Sequence, residues 1–258
     1  PNAVFAITAL LFISVKLVKN LKHKNKILLS FMVAYPVISY FLLLGGLGIL
    51  PIVETYKLGG LMLTLIIASF GIIISFPIGI LLALGRQSEL STVRFFSVMY
   101  IEFIRAVPLI TILFMASNVL PLFFDSGVSM DKLVRALIAI TLFQAAYMAE
   151  VVRGGLQAIP KGQYEAADSL GLNYAQKMGL VILPQALKVV IPPTANTMIG
   201  MFKDTSLVII IALFDLMGTT KASLTESKWL GFSMEGYVFI AYSTDMIILR
   251  EAGKLNVE

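Results

Sequence analysis

Residues 154–184 read GGLQAIPKGQYEAADSLGLNYAQKMGLVILP, a polar and helix-prone stretch within an otherwise apolar chain. It connects two strongly apolar segments, Lys132–Val152 and Gly179–Ile199. Each of these has the roughly 20 mostly apolar residues that a helix needs to cross a bilayer. The sequence therefore predicts a membrane protein that holds a polar loop, residues 154–178, in water.

The composition indicates the same class. Of the 258 residues, 58% are hydrophobic and only 14% are charged, and the mean hydropathy is +0.90. A soluble domain of this length does not need so much apolar sequence for its core. Cysteine is absent, and the single histidine, His23, lies in a lysine-rich run, so we expect no metal site and no catalytic cysteine or histidine.

Six apolar windows are candidates for membrane spans. Five have full length: Ile27–Leu50, Gly59–Leu84, Phe95–Leu120, Lys132–Val152 and Gly179–Ile199. Ala3–Val18 is shorter, and we interpret it as a span whose start is missing. Leu207–Met217 is too short to cross, which predicts that it dips into the outer leaflet and returns. Gly236–Tyr242 opens like a last span, but the residues that follow it are polar.

The positions of the lysines predict the orientation. Lys16, Lys19, Lys22, Lys24 and Lys26 lie in the first loop with no acidic residue among them, so that loop should face the cytoplasm. Alternation along the later spans then places residues 154–178 in the cytoplasm too. The net charge of +5 fits this topology, and we expect no nucleic-acid partner.

Within the loop, the turn chemistry predicts two short helices and an elbow. Ile159-Pro160 marks a break, because proline fixes its own φ and restrains the preceding residue. A helix is expected over Gln163–Leu170, ending at Gly171 in a left-handed conformation. Asn173 and Gln176 have the spacing of a capping box that starts the next helix.

One stripe of this first helix carries small residues. Tyr164, Ala167 and Gly171 share the stripe, and Ala166 and Leu170 lie beside it. Small residues favour the groove of a partner protein, because another backbone can approach them closely. The alternatives are a plain surface connection and an amphipathic helix in the lipid headgroups, although the latter should carry large apolar side chains where the alanines stand.

The loop resembles a known motif. Glu165-Ala166-Ala167, three residues, Gly171, nine residues and Val181-Ile182-Leu183-Pro184 are similar to the EAA motif of permease subunits in bacterial ABC importers, with valine at 181 where isoleucine is usual. Arg105-Ala106-Val107-Pro108-Leu109 resembles the RGTPL or RGVPL signature of the polar amino acid branch. Residues 146–163, 59–65 and 202–207 also resemble that branch. The resemblance covers about residues 58–242.

The resemblance implies an all-α integral membrane protein with a MetI-like permease core of about five transmembrane helices in residues 58–242. Residues 1–57 would be accessory transmembrane segments like those of general L-amino acid permeases, and residues 243–258 form an atypical polar tail. It further implies a permease subunit in the bacterial inner membrane that is not itself an enzyme.

The implied partners supply energy and substrate. They are a second permease subunit that is usually a different chain, two ATP-binding subunits that hold ATP–Mg, and a periplasmic amino-acid-binding protein. No cofactor is expected on this chain, since its sequence has no GxxxxGK[ST] phosphate loop. The residues implied to couple to the ATPase are Tyr164, Glu165, Ala166, Ala167, Asp168, Leu170, Gly171 and Leu172.

Polar residues inside the apolar segments are the candidates for a substrate pathway, because a charge in the membrane needs a partner or a wet cavity. They are Glu102, Arg105, Asn118, Gln144, Asp204, Thr205 and Ser206. Glu102 and Arg105 are three residues apart and are predicted to pair, or alternatively to bind an amino acid. Glu150 and Arg153 repeat that spacing and are predicted to pair or to brace the loop.

Residues 203–206 are predicted to open a re-entrant helix. Its free N–H groups would then face a substrate carboxylate, or Asp204 or Thr205 would merely cap them. Asn118 and Gln144 have a structural alternative as well, since uncharged polar side chains also link membrane helices.

Two other classes of function are weighed against this one. An ion-coupled secondary transporter of small polar solutes would require clustered membrane carboxylates or paired repeats, which the sequence does not show, and would leave the loop unexplained. An intramembrane enzyme would have to use serine, lysine or carboxylate chemistry, and no arrangement of residues indicates it.

Overall fold

A computed structural model describes residues 58–124 and 130–242 of the chain. The regular elements in these two ranges are helices, as the sequence predicts, and one isolated bridge joins Gly60 to Asp215. The predicted spans Ala3–Val18 and Ile27–Leu50, the lysine-rich first loop and the tail 243–258 lie outside the described residues.

The helices follow one another with short connections. In chain order they are α1 (Gly60–Arg86), α2 (Ser91–Ala106), α3 (Leu109–Asn118), a 3₁₀ turn (Leu120–Phe123), α4 (Lys132–Gln157), α5 (Lys161–Ser169), α6 (Tyr174–Gln176), a π-helical segment (Lys177–Ile182), α7 (Leu183–Asp204), a 3₁₀ segment (Thr205–Ile211), α8 (Leu216–Leu224) and a 3₁₀ turn (Ser227–Trp229). Residues 233–242 are also helical.

Three helical runs in the described ranges are long and apolar enough to cross a membrane. They are α1, α4 and the continuous run Tyr174–Ile211. Their positions coincide with the apolar windows Gly59–Leu84, Lys132–Val152 and Gly179–Ile199 that the sequence predicts as spans.

The predicted span Phe95–Leu120 is not one straight helix. It is broken into α2 and α3, whose axes are bent by 100°. The break falls at Val107, which is extended with φ −101° and ψ 131°, just before Pro108. Proline disfavours helical backbone in the preceding residue and has no N–H to continue the helix, so Pro108 ends α2 instead of merely loosening it.

Close backbone contacts hold the bundle together. A Cβ atom added to Gly79 of α1 would lie 2.6 Å from Cβ of Met148 in α4, and one added to Gly155 of α4 would lie 2.9 Å from the Ala186 carbonyl oxygen in α7. Side chains from these three helices form a buried apolar core, with Leu63, Ile67, Leu137, Ile140 and Met201 among its members. Small residues are the usual means by which membrane helices approach so closely.

The segment Leu207–Met217, which is predicted to dip into the membrane and return, does not start as a new helix. α7 continues directly into Thr205–Ile211, and the Thr205 N–H bonds to the carbonyls of Lys203 and Met201. Residues 203–206 therefore do not begin a helix with free N–H groups. The chain reverses at Ala212, which has φ 58°, and the Asp215 side chain then caps α8 by accepting from the Gly218 N–H at 2.8 Å.

Candidate functional site

Two regions bring the predicted functional residues together: the loop 154–178 and a cavity beside the break between α2 and α3. In the loop, α5 spans Lys161–Ser169 and confirms the predicted helix. Gly171 has φ +70°, as predicted. The Leu172 N–H bonds to the Ala167 carbonyl at 3.2 Å and the Gly171 N–H to the Asp168 carbonyl at 2.9 Å. These two hydrogen bonds form a Schellman motif, which satisfies the last carbonyls of α5.

The capping box after the elbow is also confirmed. The Asn173 side chain accepts from the Gln176 N–H at 2.9 Å, and the Gln176 side chain accepts from the Asn173 N–H at 3.1 Å. The loop is thus held by hydrogen bonds between residues that are close in sequence.

The middle of the predicted small-residue stripe packs against this chain, whereas Gly171 at its end is exposed. Ala167 is buried at 1% exposure, and the half-buried Tyr164 donates its hydroxyl hydrogen to the Leu156 carbonyl at 3.3 Å. Burial raises the pKa of the Tyr164 hydroxyl above its ordinary value. Tyr164 packs on an apolar cluster that includes Leu156 and Met178. A helix this short depends on such packing contacts, because it is not stable by itself.

The outward surface of α5, which includes its C-cap residue Leu170, is open, and we call this surface the open face. Glu165, Ala166 and Leu170 are exposed there, and Leu170 retains 77% of its surface. Tyr174, just after the elbow, is 56% exposed. An exposed leucine and tyrosine beside an alanine make a small apolar surface with an acidic neighbour.

Two links tie α5 to the helical run that follows the elbow, and neither is evident from sequence spacing. Lys177 pairs with Asp168 at 2.6 Å. The Gln185 amide nitrogen donates to the Gln163 side chain and to the Val181 carbonyl, both at 2.9 Å. Gln185 follows Pro184, the last residue of the motif, so the start of α7 is joined directly to α5.

A cluster of five charged residues lies where α1, α2 and α4 meet. Glu150 contacts Arg86 at 2.8 Å, Arg153 at 2.9 Å and Arg105 at 3.7 Å. Glu102 contacts Arg86 at 3.0 Å. The predicted pair Glu150–Arg153 is confirmed. The predicted pair Glu102–Arg105 is wrong, because Arg86 at the end of α1 reaches Glu102 and leaves Arg105 to Glu150.

The cavity has a volume of about 710 Å³ and lies beside the break at Val107 and Pro108. Its polar lining consists of Arg105, Gln144, Tyr147, Asn196, Thr197 and Asp204, and its apolar lining includes Val107, Pro108, Leu109, Phe143 and Leu207. The structure thus brings together three of the predicted pathway residues, Arg105, Gln144 and Asp204. The Gln144 side chain is 4% exposed and donates to the Thr197 carbonyl at 3.4 Å.

The other predicted pathway residues do not line this cavity. Glu102 belongs to the charged cluster, and the Asn118 amide donates to the Phe114 carbonyl one turn earlier. Thr205 and Ser206 donate their hydroxyl hydrogens to the carbonyls of Phe202 and Lys203, each at 2.8 Å. Local bonds to the helix backbone satisfy these short side chains, a common state for such residues in helices.

Sequence reasoning missed Tyr147, Asn196 and Thr197 in the lining. Tyr147 lies three residues after Gln144 on the same helix face, which is a spacing that predicts it. Asn196 and Thr197 are polar residues within the apolar run of α7, and that composition would have been the signal for them.

The amino-acid sequence is similar to known membrane transport proteins. A family model described as "Binding-protein-dependent transport system inner membrane component" matches residues 75–242. The chain is 59% identical over 223 residues to the inner membrane amino-acid ABC transporter permease protein YhdY of Escherichia coli (strain K12), covering 86% of this chain. It is 51% identical over 193 residues to the glutamate/glutamine/aspartate/asparagine transport system permease protein BztC of Rhodobacter capsulatus, covering 74% of this chain.

The chain spans 61% and 44% of the lengths of these two relatives. Among solved structures it is similar to the crystal structure of an amino acid ABC transporter with histidines, with a TM-score of 0.67 and 31% identity. That similarity covers 77% of this chain and 90% of the solved chain, and it confirms the permease fold implied by the sequence motifs.

Proposed function

This chain belongs to the family of binding-protein-dependent transport system inner membrane components, and we propose that it is the permease subunit of an ATP-driven amino acid importer. It would lie in the bacterial inner membrane as a multi-pass protein. Residues 58–242 would form its permease core, with accessory spans in residues 1–57. Its partners would be a second permease, two ATP-binding subunits and a periplasmic amino-acid-binding protein.

The open face of α5 is the observation that supports this proposal best. The nine-residue helix α5 packs on the bundle through Tyr164 and Ala167. It presents Glu165, Ala166 and its C-cap residue Leu170 outward. Helices with an exposed apolar anchor dock into grooves of partner proteins. We assign the partner groove to the ATP-binding subunit. That subunit would bind and hydrolyse ATP–Mg, and its movement would reach this chain through α5.

The residues predicted to couple this chain to the ATPase would then have different roles. Glu165, Ala166 and Leu170 would contact the ATPase, while Tyr164 and Ala167 would hold α5 on the bundle. Asp168 would fix the elbow through Lys177, 2.6 Å away. Gly171 and Leu172 would set the direction of the second helix through the Schellman motif. A force on α5 would pass to α7 through the elbow and through Gln185.

The cavity is the proposed path of the substrate. A free amino acid carries a carboxylate and an ammonium group, and Arg105 and Asp204 in the lining supply the two opposite charges. Gln144, Asn196 and Thr197 add uncharged hydrogen-bonding groups. An ion-coupled secondary transporter is not favoured, because it would leave the outward face of α5 without a role.

Transport into proteoliposomes would test this function. The complete complex would be reconstituted with its binding protein, and uptake of labelled glutamine, glutamate, asparagine, aspartate and arginine would be followed with and without ATP. We expect ATP-dependent accumulation of at least one of them. Uptake that persists without ATP, or no accumulation of any of the five, would contradict the proposal.

The variant Glu165→Lys adds a test of the coupling residues. It reverses a charge on the open face of α5 and should abolish uptake at unchanged abundance. Glu89→Lys is the matched control, since Glu89 is also exposed and lies in the connection between α1 and α2. Equal loss in both variants would remove the special role of α5.

A further inference from the structure

Arg105 belongs to both the cavity and the charged cluster. It lines the cavity with Gln144 and Tyr147, and its guanidinium carbon lies 5.7 Å from the centre of the Tyr147 ring. The same guanidinium is 3.7 Å from a Glu150 carboxylate oxygen. Because Glu150 lies six residues after Gln144 on α4, Arg105 connects the cavity with the next turns of that helix.

The three arginines around Glu150 are not held equally. Arg86 and Arg153 are within hydrogen-bond distance of its carboxylate, at 2.8 and 2.9 Å. Arg105 stands at 3.7 Å, which is longer than a hydrogen bond. Arg105 is therefore the member of the cluster that a competing carboxylate would remove most easily.

The charges of the cluster do not balance. Arg86, Arg105 and Arg153 carry three positive charges against the two negative charges of Glu102 and Glu150. The Glu150 side chain is only 17% exposed, so water screens the cluster incompletely. One more carboxylate would neutralise it, and the cavity provides access to Arg105 for such a group.

We propose that Arg105 is a substrate-sensing switch that exchanges Glu150 for the α-carboxylate of an amino acid in the cavity. This inference rests on the proposed function. Without substrate Arg105 stays near Glu150, and with substrate it turns to the carboxylate and Glu150 is left to Arg86 and Arg153. Arg105 is a positioning residue for the transport cycle as well as a ligand.

The exchange has a direct path to the loop. Arg153 holds Glu150 and also donates to the Gln157 side chain at 2.7 Å, and Gln157 is the last residue of α4. Three residues later Pro160 is the N-cap of α5. Arg86, the other partner of Glu150, is the last residue of α1. The loss of Arg105 from Glu150 therefore changes the ion pairs at the end of the bundle that carries α5.

Substrate binding to the complex without its binding protein tests this exchange. The probes are labelled L-glutamine and L-glutaminamide, which differ only in the α-carboxylate. For the wild type we expect L-glutamine to bind at least about tenfold more tightly than L-glutaminamide, as befits a charge-assisted contact. In Glu150→Gln, L-glutamine affinity should rise about fivefold, because its competitor for Arg105 is gone, while L-glutaminamide affinity stays unchanged.

Glu102→Gln is the matched control, since it removes the same charge from the cluster but contacts Arg86 and not Arg105. We expect it to leave L-glutamine affinity unchanged. ATP hydrolysis supplies a second readout: L-glutamine should stimulate it in the wild type and in Glu102→Gln, and less in Glu150→Gln. Arg105→Lys, which keeps the charge, should retain part of the preference for L-glutamine that Arg105→Gln loses.

Several results would overturn the switch. They are equal affinities for the two probes in the wild type, equal L-glutamine affinity in Glu150→Gln and the wild type, and equal gains in Glu150→Gln and Glu102→Gln. A wild-type complex that accumulates amino acids with ATP but shows any of these results would retain the proposed function and lose this inference. A complex with no ATP-driven uptake of any amino acid would lose both.

Discussion

The loop and the cavity are built by different kinds of contact. In the loop, the hydrogen bonds that form the elbow join residues no more than five apart, such as Leu172 to Ala167 and Gln176 to Asn173. Around the cavity, contacts join residues far apart, such as Gln144 and Thr197, which are separated by 53 positions. The elbow of the loop is therefore fixed by its own sequence, while the shape and charge of the cavity depend on how α2, α3, α4 and α7 are placed.

The largest effect is expected where the start of the loop, at the end of α4, packs against α7. Gly155→Leu would place a side chain against the Ala186 carbonyl oxygen, 2.9 Å from the position of the new Cβ. Overpacking at such a site costs about 1–3 kcal/mol or more, and we expect little folded protein in the membrane. Gly154→Leu is the control, because nothing lies within 4 Å of a Cβ there. Membrane abundance by quantitative blotting measures both, and equal abundance would contradict the packing.

A smaller effect on folding but a full loss of uptake is expected at the elbow. Gly171→Val must adopt φ +70°, which costs a β-branched residue at least about 1–2 kcal/mol, although a Cβ meets nothing within 4 Å. The strain should redirect the second helix and uncouple ATP hydrolysis from uptake. Gly171→Asn, which tolerates this conformation, should keep both. If Gly171→Val transports like the wild type at equal abundance, coupling does not require the left-handed conformation at residue 171.

In the cavity we expect a graded effect on affinity. Asp204→Asn removes a negative charge from the lining and should raise the substrate concentration for half-maximal uptake about tenfold, the equivalent of about 1.4 kcal/mol. Ser206→Ala, two residues along, should change it little, because that hydroxyl is bonded to the Lys203 carbonyl. Initial uptake rates over a range of substrate concentrations would measure both. If the substrate concentration for half-maximal uptake changed equally in the two variants, Asp204 would have no special role in the substrate path.

The smallest effect belongs to the capping box. Asn173→Ala removes the acceptor for the Gln176 N–H and should cost about 1 kcal/mol. Because the Schellman motif remains, we expect reduced thermal stability of the complex but nearly normal coupling. Asn173→Asp keeps an acceptor and should restore the melting temperature. A complete loss of transport in Asn173→Ala would show that the elbow needs both devices.

These differences explain what the sequence predicts well. The end of α5, Gly171 and the pair Asn173 and Gln176 follow from turn chemistry, since each signal and its partner lie within a few residues. The spans α1 and α4 follow from length and hydropathy.

The sequence could not predict which residues from different helices contact one another. The spacing of Glu102 and Arg105 allows a pair, but Arg86 from another helix takes Glu102 at 3.0 Å. The composition of α5 indicates a small-residue face, but not that Ala167 turns toward its own bundle. Pro108 marks a weak point in its helix, while the 100° bend depends on how α3 packs against its neighbours.

Protection of the open face of α5 by the ATP-binding subunit tests the central claim most directly. The chain has no cysteine, so Leu170→Cys supplies a single thiol for a maleimide, and Ala167→Cys places one on the buried face. Labelling would be measured on membranes with and without the ATP-binding subunits. The account predicts that Leu170→Cys is labelled readily and becomes protected when those subunits are present, while Ala167→Cys reacts slowly in both cases. Equal labelling of Leu170→Cys with and without the subunits would contradict it.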